Sequence, residues 1–167
     1  IERRLKEELN IPIMHDDQHG TAIISSAALL NALEITKKKI DKVKIVVNGA
    51  GAAAISCAKL YLSLGAKKEN IVMLDSKGVI RQNRKGLNPE KEFFATSRRV
   101  ETLKDSMINA DVFLGLSKGG IVNKDMIKSM AKRPIVFALA NPDPEISYND
   151  AMDSRDDIIM ATGRSDH

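Results

Sequence analysis

KIVVNGAGAAAISCAKLYLSLG, residues 44–65, is a short apolar run that reaches two glycines and continues as an apolar segment of helical length. Its Val and Ile residues favour a strand, and Gly65 marks the end of the helix that follows. Between the two elements, Gly49, Gly51 and Ala54 have the spacing G-x-G-x-x-A. A small-residue turn that joins a strand to a helix in this way is typical of a βαβ unit that binds a dinucleotide.

Short apolar strands and helices alternate through the rest of the chain. Beyond the first strand at 44–51, strands are predicted at 70–75, 110–116, 134–142 and 157–163, and helices at 2–9, 21–35, 52–65, 90–97 and 123–132. The polar segment 76–89 is predicted to be a loop or hairpin. Continuous apolar strands between helices indicate a parallel sheet that is covered on both faces. The expected fold class is therefore α/β, with a Rossmann-like, doubly wound, mostly parallel sheet in three layers.

The composition is that of an ordinary globular protein of 167 residues, with 43% hydrophobic and 29% charged residues. A formal charge of +4 suits an anionic ligand, but the basic residues form short clusters without aromatics between them, so no nucleic-acid partner is expected. No run approaches the ~18 apolar residues of a membrane span. The single cysteine, Cys57, cannot form an internal disulfide, which fits a cytoplasmic location. One domain over residues 1–167 is expected.

The glycine turn predicts where phosphate groups would bind. Gly49 permits the tight turn, Gly51 lets a pyrophosphate approach the backbone, and Ala54 lets the helix pack closely on the sheet. The amide groups that open this helix, at residues 51–53, would then face the phosphates. The alternative is a structural α/β turn without a ligand.

Asp75 ends the next strand, where an acid accepts hydrogen bonds from the adenosine ribose. This carboxylate favours NAD because it repels a 2′-phosphate. Ser76 and Lys77 follow directly, however, and Arg81 and Arg84 are near in sequence, so a phosphate could be held by these side chains. The sequence leaves the choice between NAD and NADP open.

Two later loops leave the same edge of the predicted sheet, GLSKGG at 115–120 and ANPDPE at 140–145. Ser117 would lie near the ribose and diphosphate of the cofactor, and Asn141 could point its amide toward a substrate at the nicotinamide. An ordinary glycine-rich turn and a proline-punctuated turn explain the two loops equally well on chemistry alone.

Asp16 and Asp17 stand between two histidines in HDDQHGT, residues 15–21, directly before a long apolar segment. The acids could simply cap a helix at its positive end. Asp17 could instead ligate a hard divalent cation such as Mg²⁺ or Mn²⁺. The two histidines could bind zinc, although Gly20 argues against a helix across them. Finally, one of the acids could tune a general base.

Five segments resemble those of the malic enzymes, most closely the bacterial type, in the same order and context: HDDQHGT (15–21), NGAGAAA (48–54), LDSKGVI (74–80), ALANPDPE (138–145) and ATGRSDH (161–167). The resemblance implies that Asp17 holds the divalent metal with two acids of a preceding domain, and that Asp16 supports the catalytic lysine. It implies that Asn141 contacts malate. The implied cofactor-binding residues are Gly49, Gly51, Ala52, Ala53, Asp75 and Ser117, to which the reasoning from spacing and charge adds Ala54, Ser76 and Lys77.

The resemblance also implies the reaction, which is oxidative decarboxylation of malate to pyruvate and CO₂ with Mg²⁺ or Mn²⁺ and with NAD⁺ or NADP⁺ taking the hydride. The catalytic lysine and two metal carboxylates would precede Ile1. Residues 1–20 would then be a lead-in helix and active-site loop at the junction with an absent N-terminal substrate domain, and this piece would be inactive alone. The complete enzyme is expected to be a homo-oligomer. The alternative function is an NAD(P)-binding regulatory module, which would not need the acid pair.

Overall fold

Six strands form one sheet in the computed structural model, which describes residues 1–164 apart from the side chain of Arg3. The spatial order is β3-β2-β1-β4-β5-β6, and only the edge strand β3 is antiparallel to its neighbour. The direction of winding reverses between β1 and β4, which is where sheets of this kind bind ligands. The strands are β1 (Ile45–Asn48), β2 (Ile71–Asp75), β3 (Gly78–Val79), β4 (Val112–Gly115), β5 (Ile135–Ala138) and β6 (Ile159–Thr162). The end of the ATGRSDH segment, 165–167, lies outside the described residues.

Helices cover both faces of this sheet, as the apolar strands predict. Successive side chains of a strand point to opposite faces; Ile45 and Val47 therefore pack with α2 and α3, whereas Val46 packs with α5, α6 and α7. None of the helices described over residues 1–164 is long and apolar enough to cross a membrane. The predicted three-layer α/β class is confirmed. The helices are α1 (Glu2–Glu8), α2 (Asp16–Thr36), α3 (Ala52–Ser63), α4 (Pro89–Phe93), α5 (Leu103–Met107), α6 (Lys124–Ser129) and α7 (Tyr148–Ser154).

Two short helices, α5 and α7, were not predicted. Each begins at a residue whose side chain accepts a hydrogen bond from the backbone N–H three residues on, Thr102 from Asp105 and Ser147 from Asp150. Such capping residues are the usual start of a helix. The signal is therefore present in the sequence, but both helices are too short to show an apolar period.

The helix predicted at 90–97 ends early, at Phe93. Beyond it the chain runs beside residues 80–82, because the N–H of Thr96 donates to the carbonyl of Ile80 and the N–H of Gln82 donates to the carbonyl of Thr96. These tertiary hydrogen bonds compete with the helix. The hairpin predicted as one possibility for 76–89 is present as the β2–β3 pair.

Candidate functional site

Gly49 follows the last residue of β1 and needs to be glycine for the fold itself. Its φ is +131°, in a region that side chains rarely adopt. A Cβ at this position would lie 2.6 Å from the carbonyl oxygen of Leu116, in the loop after β4. The turn therefore brings the backbones of two neighbouring loops into direct contact.

We expect Gly49→Ala to lower the free energy of unfolding by about 2–3 kcal/mol, because it adds backbone strain and a backbone clash. Gly86→Ala is the matched control, since Gly86 also has a positive φ, of +74°, but has no atom within 4 Å of its Cβ position. Urea denaturation of the two variants measures the difference. An equal loss in both would show that the contact with Leu116 contributes nothing.

Gly51 differs from Gly49 because neither its conformation nor its packing requires glycine. Its φ is −84°, and a Cβ would meet nothing within 4 Å. It is the N-cap of α3, and no side chain caps that helix end. The space above the first amide groups of α3 is therefore open, in the place where the positive end of a helix favours a phosphate.

The three alanines after Gly51 are progressively more buried. Ala52 is exposed, Ala53 is partly buried and Ala54 is completely buried against the sheet. Ala54 thus has the packing role that the G-x-G-x-x-A spacing predicts for its third position.

Asp75 lies at the carboxyl end of β2, and its carboxylate is already bound within the chain. Arg84 Nη2 lies 2.7 Å from Oδ2, Lys91 Nζ lies 2.8 Å from the same oxygen, and the N–H of Lys77 donates to Oδ1 over 2.9 Å. Burial alone would raise the pKa of Asp75, but the hydrogen bonds from Lys91, Arg84 and Lys77 lower it to about 2. Ser76 is exposed beside this cluster.

Lys91 was missed by the sequence analysis, although Arg84 was not. Lys91 follows Asp75 by 16 residues and belongs to α4, so only the folding of the 76–89 segment brings the two together. Two cationic side chains therefore lie at the end of β2. The side chain of Arg84 is 19% exposed and that of Lys91 is 27% exposed. An anion could contact both.

The loops after β1, β4 and β5 are tied to one another. Asn48 Nδ2 donates to Ser117 Oγ over 2.5 Å. The N–H groups of Ser117 and Ala140 donate to the two oxygens of the Glu145 carboxylate, each over 3.1 Å. Asn141 comes next after Ala140 and is exposed. Neither Asn48 nor Glu145 was assigned a role from the sequence.

The acid pair starts α2 but does not cap it through a side chain. The N-cap is His15, which makes no capping hydrogen bond. The side chain of Asp17 is 94% exposed, and its Oδ2 lies 3.8 Å from Nε2 of His15. Asp16 lies over Gly20, where a Cβ would overlap its carboxylate. Both acids lie in the first turn of α2, where they favour the positive end of the helix, but neither caps it through a side-chain hydrogen bond.

The helix continues through Gly20, so the expectation that this glycine argues against a helix between the two histidines was wrong. The two histidines have separate partners, because His19 Nε2 lies 2.9 Å from a carboxylate oxygen of Glu2. Within residues 1–164, no group of three His, Cys, Asp or Glu side chains could hold a metal. Zinc binding by the histidines is therefore not supported, and Asp17 can supply one carboxylate ligand to a set that other groups complete.

The acid pair, the helix start after the glycine turn and the loop after β5 line one cleft of about 730 Å³. Its lining includes the polar side chains of Asp16, Asp17 and Asn141, together with Ala53 and the apolar side chains of Leu116, Phe137 and Leu139. The sequence predicted the roles of the polar residues separately. The structure places them around a single space.

Asp75, Gly49 and Ser117 lie outside this cleft, along the same edge of the sheet as Asn141, which lines it. Asp75, Gly49, Ser117 and Asn141 follow the carboxyl ends of β2, β1, β4 and β5, which are consecutive strands. Three strand spacings of about 4.8 Å place the outer two roughly 14 Å apart. A long ligand that crosses the edge could contact all four loops.

A doubly wound sheet with an open glycine turn at its reversal point defines a domain of the dinucleotide-binding class. The sequence matches the family model described as "Malic enzyme, NAD binding domain" over residues 18–165. The chain therefore belongs to the malic enzyme family, as its NAD-binding domain, and the resemblance drawn from the sequence is confirmed.

Relatives that use either dinucleotide are similar to this chain. A probable NADP-dependent malic enzyme of Rickettsia prowazekii is 54% identical and an NADP-dependent malic enzyme of Halomonas elongata is 53% identical, each over 100% of this chain. The crystal structure of an NAD-dependent malic enzyme from Thermotoga maritima is 45% identical over 99% of this chain, with a TM-score of 0.90. The chain spans 22%, 40% and 45% of the lengths of these three proteins.

Proposed function

We propose that this chain is the cofactor-binding part of an enzyme that oxidises and decarboxylates malate to pyruvate and CO₂ with NADP⁺ and a divalent cation, Mg²⁺ or Mn²⁺. The observation that carries the proposal is the cleft shared by Asp16, Asp17, Ala53 and Asn141. An acid with no strong partner, next to a dinucleotide turn, has a clear use in this chemistry and little use in a domain that only binds a nucleotide. The regulatory-module alternative leaves the pair unexplained.

Six side chains of the cleft have a part in the proposed reaction. Asp17 ligates the cation through its exposed carboxylate. Asn141 orients malate with its amide, and the wall of Leu116, Phe137 and Leu139 keeps water from the reacting carbon. Asp16 holds, by hydrogen bonding, the protonated form of a base supplied from elsewhere in the enzyme.

The bound groups supply the rest of the chemistry. When bound, a dinucleotide would supply the acceptor for the hydride of malate, and a divalent cation would supply positive charge for the loss of CO₂. Asp16 and Asp17 lie in the first turn of α2 and line the same cleft as Ala53, so a cation held by Asp17 would lie near the glycine turn.

NADP rather than NAD is proposed because of the cations around Asp75. The carboxylate that would repel a 2′-phosphate is neutralised by Arg84 and Lys91, and the three side chains together carry one net positive charge. Ser76 and Lys77, both exposed, add further donors beside them. A ribose 2′-phosphate at the end of β2 would therefore meet a positive rather than a negative site.

We expect Lys91→Met to weaken NADP⁺ binding about 10–30-fold, since a charge-assisted hydrogen bond contributes about 1.5–2 kcal/mol. Binding of NAD⁺, which lacks the 2′-phosphate, is expected to change less than about twofold. Calorimetric titration of both cofactors measures this, and Lys85→Met, at an exposed lysine, is the control for a general loss of charge. An equal loss for both cofactors would argue against a phosphate contact at Lys91.

The proposed reaction is tested with the complete polypeptide that the gene encodes, by following NADP⁺ reduction and pyruvate formation from malate with Mn²⁺ present. Production of one pyruvate for each NADPH supports the proposal. Tight cofactor binding without malate-dependent reduction would favour the regulatory module instead. We also propose a cytoplasmic homo-oligomer, which light scattering and cell fractionation test.

A further inference from the structure

Glu145 is a fully buried acid that the proposed reaction does not use. Its exposure is 0%, and its carboxylate accepts from backbone N–H groups, with no ion pair to a cation among the described residues. Burial raises the pKa of Glu145, although the N–H groups of Ser117 and Ala140 oppose this. An acid kept in such surroundings carries a desolvation cost that a purely apolar side chain would avoid.

The two N–H donors come from two different loops. Ser117 belongs to the loop after β4, which is predicted to contact the cofactor, and Ala140 directly precedes Asn141, which is predicted to contact malate. The backbone carbonyl of Glu145 also accepts from the N–H of Val122, over 2.9 Å. One side chain therefore fixes the distance between a cofactor loop and a substrate loop.

The β4 strand leaves space for this carboxylate. A Cβ at Gly115, the last residue of β4, would overlap the carboxyl group of Glu145. The φ of Gly115 is not positive, so the backbone conformation alone does not require a glycine here. Gly115 is thus explained by the acid that packs on it.

We infer that Glu145 is a positioning residue that holds the Ser117 and Asn141 loops in register, so that cofactor and substrate meet at reacting distance. This inference rests on the proposed function. Its chemistry requires a carboxylate, because both oxygens accept. A glutamine of the same size has one acceptor oxygen and would turn an NH₂ group toward the second N–H donor.

The test is Glu145→Gln in the complete polypeptide, with Glu145→Asp as a second variant that keeps the charge but shortens the reach. We expect kcat/KM for malate to fall about 10–100-fold in each folded variant. Residues that orient the directly binding groups of a site usually have effects of this size. Both KM for malate and kcat should change, because the misplaced loop carries Asn141. Titration with NADP⁺ measures the cofactor loop separately, and we expect weaker binding there too.

Asp111→Asn is the control for loss of a structural carboxylate. Asp111 accepts from the N–H of Lys44 and pairs with Lys38, at the opposite end of β1 and β4. We expect it to lower the melting temperature while kcat/KM of the folded protein stays within about twofold, as is usual for changes remote from a site. A folded Glu145 variant that behaves like this control would overturn the inference.

A measurement on the unmodified protein covers the case in which neither Glu145 variant folds. The amide proton shifts of Ser117 and Ala140 should change together, with one midpoint, as Glu145 titrates, and independent midpoints would overturn the inference. The proposed function fails separately: the unmodified protein would then show no malate-dependent NADP⁺ reduction, whatever the Glu145 variants do.

Discussion

Asp17→Asn should lower kcat for the proposed decarboxylation of malate by at least about 1,000-fold, making it one of the two largest effects expected for this protein. Several kcal/mol of charge stabilisation depend on a correctly held cation, and each 1.4 kcal/mol or so is a factor of ten in rate. The amide of Asn keeps the shape of the side chain and removes the negative charge that a hard cation prefers.

The same substitution should lower the affinity for the metal as well as the rate. Titration with Mn²⁺, followed by its electron paramagnetic resonance signal, should show weaker binding in Asp17→Asn, while NADP⁺ binding without metal stays unchanged. Asp125→Asn is the matched control, because Asp125 is also an exposed acid in the first turn of a helix. A normal Mn²⁺ affinity together with a lost rate would show that Asp17 acts in another way, for example on a base.

The parts of this fold that the sequence predicts are those set by local patterns. Val46 and Val47 lie in a run that reads as a buried strand, and Gly49, Gly51 and Ala54 mark the turn and helix that follow. Here propensity, turn chemistry and burial agree, and such agreement makes the structure of a segment predictable from its sequence. The predicted bounds exceed those of the strands by a few residues because the apolar run continues into the loops.

The parts that could not be predicted depend on contacts between distant segments. Lys91 meets Asp75 only because α4 folds back beside β2, and Glu145 meets Ser117 across 28 residues. A buried acid has no sequence signature of its own, since the same letter is usually exposed. The candidate site was therefore predicted residue by residue, whereas the ties that hold its loops together appear only in three dimensions.

The glycine turn itself separates fold from function. Position 49 requires glycine because of its positive φ and its contact with Leu116, whereas Gly51 faces open space at the N-terminus of α3. The two glycines are near neighbours in the spacing G-x-G-x-x-A, and their substitution should have opposite consequences because their expected roles differ.

Gly51→Val should weaken NADP⁺ binding at least about 100-fold, because losing two hydrogen bonds to a charged group costs about 3 kcal/mol or more. The valine side chain would fill the open space above the amides of Ala52 and Ala53. Stability should change by no more than about 1 kcal/mol, the usual range for a poor N-cap. Calorimetry and urea denaturation measure the two quantities on the same protein.

Adenosine 2′-phosphate is the ligand that isolates the cause, because it lacks the pyrophosphate but retains the group proposed to meet Arg84 and Lys91. Its affinity should be the same for the Gly51→Val variant and the unmodified protein. If it weakens as much as NADP⁺ does, the substitution has disturbed the whole edge of the sheet, and the open space at Gly51 is not where the pyrophosphate binds. If only NADP⁺ weakens, Gly51 is a glycine because of the ligand and Gly49 because of the fold.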